Sequence, residues 1–146
     1  MKHRFFAACL SFTMPGLGQI YNRDFLKGIV LLLLEHIVNR LSHINAAIML
    51  SFNGEHLQAL NQVNYEFALF YPGFYTFCVF DCVLNAQEDP NKDCSLWFIF
   101  SGLAGCFGII YGRFIPMPLF LVGLAMICLM VIGTYVCSRG ETIKTT

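Results

Sequence analysis

The sequence predicts an all-α, polytopic helical membrane protein: four transmembrane helices plus a short, broken or re-entrant N-terminal helical segment. Three observations lead there. Of 146 residues, 57% are hydrophobic and only 12% are charged, against about 45–50% and about 25% in ordinary soluble domains. The mean hydropathy is +0.63. Apolar runs approaching or exceeding the roughly 17–25 residues that a spanning helix needs recur along the chain. A net charge of zero and the lack of a basic patch point away from a nucleic-acid partner.

The first apolar segment, residues 5–21, is at the short limit for a crossing and is interrupted by Pro15 and Gly16. It either crosses as a broken helix or dips in and returns, with neighbouring helices covering its irregular backbone. Lys2 and Arg4 before an apolar run imitate a secretory signal, but hydrophobic sequence resumes directly after the Pro-Gly break, so the segment is expected to be retained. Asn22 and Asp24 are N-cap residue types for a helix starting near Phe25. That second segment runs over residues 25–52, to the turn signal Asn53-Gly54. Residues 54–63 read as a loop or surface helix. The third segment, 64–84, carries a Phe67/Phe70/Phe74/Phe77 stripe and a kink expected at Pro72-Gly73.

Residues 85–95 are the clearest loop. The fourth segment, 96–112, opens with Trp97, a natural interfacial anchor. It places Ala104, Gly108 and Gly112 at four-residue spacing, a register that lets helices approach closely. The fifth, 117–137, is almost free of polar groups. The organisation expected is therefore a membrane region over 1–86, a cytoplasmic loop over 87–95, and a C-terminal transmembrane hairpin with a short tail over 96–146.

Positive charges choose between the readings of the first segment. If all five segments crossed from an inside N-terminus, Lys2, Arg4 and Arg113 would be inside and Arg23, Lys27, Lys92, Arg139 and Lys144 outside, against the rule. Inverting that chain gives five against three, a weak preference. If instead the first segment re-enters, Lys2, Arg4, Arg23, Lys27, Lys92, Arg139 and Lys144 all lie inside and only Arg113 outside, with Arg40 left out because it falls within the second segment. Four crossings with both termini cytoplasmic are expected.

Pro15-Gly-Leu-Gly-Gln-Ile-Tyr-Asn22, followed by Phe25-Leu-Lys-Gly28 and an apolar helix, resembles the bacterial members of the two-transmembrane-helix (TM-two) domain superfamily. In those, a Pro-Gly-x-Gly-Gln-x-Tyr-Asn turn leads through Lys-Gly into the next helix. Asp81 followed by Asn85-Ala86 is similar to the end of such a domain. The chain departs from the animal members, having Asn22-Arg-Asp-Phe25 in place of their Asp-Arg-Phe turn, and continues into two further segments. The resemblance implies a multi-pass protein of a bacterial cytoplasmic membrane, with no catalytic residues to carry over. Its turn motif is Pro15, Gly16, Gly18, Gln19, Tyr21, Asn22 and Gly28.

Ionisable residues within membrane segments mark ion or proton paths or paired contacts. The candidate cluster is Glu35, His36, Asn39, Arg40 and His43, with Glu66 and Asp81 as possible partners. It reads as a path, as an ion-paired knot between helices, or as a solvated helix end. By depth, Glu66 is the better partner for Arg40. Ala104, Gly108 and Gly112 are the candidate helix-packing residues.

No metal or cofactor is expected. His36 and His43 are about two turns apart, too far to chelate one ion alone, and Cys78 and Cys82 lack further ligands. Six of the seven cysteines fall in or at the ends of apolar runs, the count is odd, and no disulfide framework is expected. No HExxH, GxSxG or paired-carboxylate pattern supports an enzyme. The expected function is an interaction or assembly component whose partners are the lipid bilayer and a membrane protein or a second copy. The alternative is a small channel or transporter using the Glu35–His43 stripe.

Overall fold

The computed structural model describes residues 3–86 and 91–139. Lys2, residues 87–90 of the expected loop and residues 140–146 of the tail, Lys144 included, lie outside them. The described residues form helices without strands: α1 (Arg4–Thr13), α2 (Leu17–Tyr21), α3 (Phe25–Ser42), α4 (Ile44–Phe52), α5 (His56–Gln62), α6 (Tyr65–Ala68), α7 (Tyr71–Leu84), α8 (Ser95–Tyr111) and α9 (Pro118–Arg139), with 3-10 turns at Lys92–Cys94 and Gly112–Phe114.

The break at Pro15-Gly16 folds α2 back along α1. Met14 is extended and Gly16 takes φ 103°, a left-handed conformation open to glycine at no steric cost. The two ends of this hairpin meet: the His3 amide donates to Tyr21 Oη at 3.3 Å, and the Phe6 and Tyr21 rings lie 5.0 Å apart, edge on. Gly18 makes the return possible, since a Cβ there would stand 2.6 Å from Ala7 O and 2.8 Å from Cys82 Cβ. The chain thus comes back to the level at which α1 began.

The expected second segment is two helices. His43 adopts φ 57° between α3 and α4, where polar groups compete for the backbone. Ser42 O accepts from Asn64 N at 3.0 Å, and Asn39 Oδ1 accepts from Asn45 N at 3.3 Å in the first turn of α4. The third segment also divides, and earlier than the expected kink. A proline ring clashes with the carbonyl four residues back, and α6 ends at Ala68, four before Pro72. Pro72 then sits in the first turn of α7, where its missing N–H is harmless.

Helix α7 is central, packing against α1, α2, α3, α8 and α9. Its Cys78, Val79, Cys82 and Val83 are fully buried, three of them in a core with Ala7, Ala8, Phe98, Met130 and Cys137. Small residues let α8 approach its neighbours. A Cβ on Gly102 would meet Thr76 Oγ1 at 3.1 Å, and one on Gly108 would meet Val122 Cβ at 2.9 Å. Ser101 Oγ donates to Met126 O at 3.1 Å.

A disulfide joins Cys94 to Cys137, with Cα atoms 5.1 Å apart. It corrects the expectation that the chain holds no disulfide: the two cysteines are 43 positions apart, and only the packing of α8 on α9 makes them neighbours. Arg4, buried at 2% exposure, reaches the same place and donates from Nη1 to Cys137 O at 2.6 Å.

Replacing Gly18 by Ala should destabilise the fold by about 1–3 kcal/mol through overpacking. Gly73→Ala, whose Cβ meets nothing within 4 Å, should be neutral or stabilise by up to about 1 kcal/mol. Thermal melting in detergent, followed by circular dichroism, checks both; equal shifts would refute the close-approach account of Gly18.

Candidate functional site

The polar residues of α3 divide by direction. Gly28, Leu31, Glu35, Val38 and Ser42 face inward at helical spacing, whereas His36, Arg40 and His43 are exposed. Glu35 and Arg40 are five residues, roughly 140°, apart at 3.6 residues per turn, so one helix cannot turn both towards the same neighbour. The expected cluster therefore resolves into two buried knots and an outward face.

The first knot surrounds Asp81 in the last turn of α7, 8% exposed. Its Oδ1 accepts from Lys27 Nζ at 2.5 Å and from Asn85 Nδ2 at 3.0 Å, and its Oδ2 accepts from Gln19 Nε2 at 3.0 Å. Gln19 Nε2 also donates to Cys78 O at 2.8 Å, and Asn22 Nδ2 donates to Cys82 O at 2.7 Å. Asn22 thus supplies a donor to the last turn of α7, where carbonyls lack intrahelical partners, and Gln19 adds a second bond to a carbonyl one turn earlier. The charges fit this junction. A carboxylate near the end of its own helix and a lysine in the first turn of its own helix are each disfavoured by the local dipole. Bringing the start of α3 to the end of α7 sets each charge against the other helix's favourable end.

The second knot surrounds Glu35, 6% exposed. Its Oε1 accepts from Asn39 Nδ2 at 3.0 Å and from Tyr71 Oη at 3.3 Å, and its Oε2 lies 3.1 Å from Nδ1 of His36, whose side chain is 66% exposed. Tyr71 and Asp81 lie ten residues apart on α7, about 15 Å along the axis. Between them Leu31, Phe74 and Cys78 form a separate buried apolar cluster.

Other expected residues take simpler places. Among the described residues no ion pair joins Arg40 to Glu66; Glu66 is exposed, and its amide donates to Asn64 Oδ1 at 3.2 Å at the cap of α6. Depth along the helices suggested that pair, but rotation about the axis turns Arg40 away. Gly16 and Gly28 form the contact between the turn and α3, since a Cβ on Gly28 would meet Gly16 O at 2.8 Å, while Pro15 stands at the break before it. Gly108 packs on Val122 and Gly112 lies under Leu60 and Pro118. Ala104 lines an open apolar groove with Phe107, Val122 and Ala125. Among the described residues no three His, Cys, Asp or Glu side chains converge as metal ligands.

Lys27, Asn85, Tyr71 and Arg4 were missed as site residues. Signals existed for two of them: Lys27 stands at the same expected depth as Asp81, and Asn85 follows Asp81 by one helical turn in the stretch quoted for the resemblance.

The class that the described residues define is an all-helical protein in which three helices, Tyr65–Leu84, Ser95–Phe114 and Pro118–Arg139, are long and apolar enough to cross a membrane, which is compatible with a membrane protein. Helix α3 has the length of a near-crossing but carries Lys27, Glu35 and Arg40. No protein-family model, curated protein or solved structure matches the chain.

Lys27→Met and Asp81→Asn should each destabilise the protein, with a coupling between them of about 0.5–3 kcal/mol. The lower half of that range is expected because the Lys27 side chain is 37% exposed and partly screened. Unfolding of the single and double variants in mixed micelles measures it, and additive losses would remove the pair from the account.

Proposed function

We propose that this chain is an interaction or assembly component of a bacterial cytoplasmic membrane, threaded four times with α1–α2 as a re-entrant hairpin and both termini in the cytoplasm. The observation that carries the choice is the apolar cluster of Leu31, Phe74 and Cys78 between the two polar knots. An ion or proton path would need a connected series of polar groups, and the series along α3 and α7 is interrupted. The knots act as locks between helices.

The outward face of α3 is the docking surface of this proposal. His36 and Arg40 lie among the exposed Leu33 and Ile37, and a polar or charged group at membrane depth is stable only against protein or water. A partner helix, or a second copy, would cover them. The Ala104/Gly108/Gly112 register of α8 is the weaker alternative, because Gly108 already receives Val122 of α9 and Gly112 already lies under Leu60 and Pro118.

Support for the threading comes from the near end of the bundle. Arg4, Lys27 and Arg139 gather there with Arg23, while Arg113 lies at the other end beside Gly112. Disulfides persist mainly in oxidising compartments, so the Cys94–Cys137 bond argues the opposite way. The charges weigh more, since several independent residues agree. The resemblance to the two-transmembrane-helix superfamily belongs to this proposal, and it is supported by Gln19, Asn22, Lys27 and Asp81 of the motif meeting in one knot.

Reporter fusions within residues 86–94 and after residue 146 should both read cytoplasm; an external reading at 86–94 overturns the threading. His36→Leu with Arg40→Leu should release a co-purifying membrane protein or dissociate a homo-oligomer while the folded yield is kept. Reconstituted protein should carry no ion flux. Flux into liposomes that Glu35→Gln abolishes without unfolding would replace assembly by transport.

A further inference from the structure

The α4–α5 hairpin leaves the bundle where α3 ends and returns where α6 begins, as the Asn64 amide and Ser42 carbonyl meet at 3.0 Å. It does not prolong α3. At its far end Phe52 meets Phe120, in the first turn of α9, at 6.1 Å and edge on, and Leu60 of α5 lies over Gly112 at the end of α8. Helix α4 is nine residues long, about 13.5 Å, enough to step across one helix spacing of about 8–10 Å. The hairpin is therefore laid across the end of the bundle opposite Arg4 and Asp81.

Its chemistry is unusual for a surface connection. Helix α4 contains no Asp, Glu, Lys or Arg. It turns Ile44, Ala47 and Ser51 inward, and exposes Met49 at 68% and Phe52 at 73%, with Leu57 of α5 at 77%. Phe52 is in contact with Phe120, itself exposed on α9, the most apolar of the helices able to cross a membrane. The exposed strip is thus continuous with a surface that faces lipid if α9 crosses. The remaining exposed residues of α5, Gln58, Asn61 and Gln62, are polar and uncharged, as a helix lying among headgroups tolerates.

We propose that the α4–α5 hairpin lies in the plane of the bilayer interface, with Met49, Phe52 and Leu57 inserted among the lipids at the boundary of headgroups and acyl chains. The inference rests on the membrane reading of α9. The lipid interface is its occupant, in preference to a protein, because the strip runs directly into the outer face of that helix.

The chain has one tryptophan, so Trp97→Phe gives a background in which Met49→Trp, Phe52→Trp and Leu57→Trp can be read singly in liposomes. Ile127→Trp, nine residues and about 13.5 Å along α9, reports the depth of that helix. Each hairpin tryptophan should show blue-shifted emission and be quenched more by lipids brominated near the carboxyl end of the chain than by those brominated near the methyl end. Ile127→Trp should show the reverse order. All three replaced hairpin side chains are exposed, so a failure of one variant to fold leaves the other two to decide. Emission that acrylamide quenches as in water overturns the proposal. Blue-shifted emission insensitive to both brominated lipids also overturns it and assigns the strip to a protein contact. If Ile127→Trp is insensitive to both lipids, the membrane reading itself fails.

Discussion

The carboxylate of Asp81 holds together parts of the chain that no local preference would join. It receives Lys27 from the first turn of α3, Gln19 from α2 and Asn85 from the turn after α7. A buried carboxylate is stable only when paired and hydrogen-bonded, so these donors are required by its position. Their arrangement explains the rest of the near end. Gln19 reaches Asp81 only because the Pro15-Gly16 break turns α2 back, and α2 fits only because Gly18 and Gly28 leave room for backbone contact. The turn motif and Asp81 are therefore one structural unit, although 62 positions separate Gln19 from its partner. Removing Lys27 leaves the buried carboxylate with only the amide donors of Gln19 and Asn85, and removing Asp81 leaves the part-exposed Lys27 to solvent alone.

How much of this was legible follows from what a sequence records. Helical rise gives depth, so the helical character of the segments, the break at Pro15-Gly16 and a loop or surface helix over 54–63, of which α5 is the helical part, could be read. Rotation about each axis is set by packing, and here the reading failed. His36, Arg40 and His43 of the expected cluster face outward, while Glu35 turns inward and accepts from Asn39 and Tyr71. The expected Arg40–Glu66 contact had the right depth and the wrong azimuth. Lys27 and Asp81 had matching depth and were not paired, because the motif drew attention to its glycines and amides. The bond between Cys94 and Cys137 depends on how α9 lies against the turn before α8, which periodicity does not encode. The break at His43 was hidden because no Pro or Gly marks it; it arises from polar groups of Asn39, Ser42 and Asn64 acting together.

The two ends of the bundle are held by different means, and that difference bears on where another molecule could act. The near end combines the Asp81 knot, the buried Arg4 on the Cys137 carbonyl and the Cys94–Cys137 bond, each joining elements far apart in sequence. Towards the far end α3 is held by Glu35 with Tyr71 and by the Ser42–Asn64 contact, while the hairpin beyond it shows much apolar surface to its surroundings. A partner that approached the near end would have to break buried polar contacts before gaining its own. One that approached the outer half of α3 would cover His36, Arg40, Leu33 and Ile37 without disturbing either knot. On the proposed threading those polar side chains have hydrocarbon as their alternative, so this is the face that the proposed partner would cover to most effect. Rigid anchoring at one end and an unfilled helix face at the other suit a protein that positions a partner in the membrane better than one that must open a path through itself.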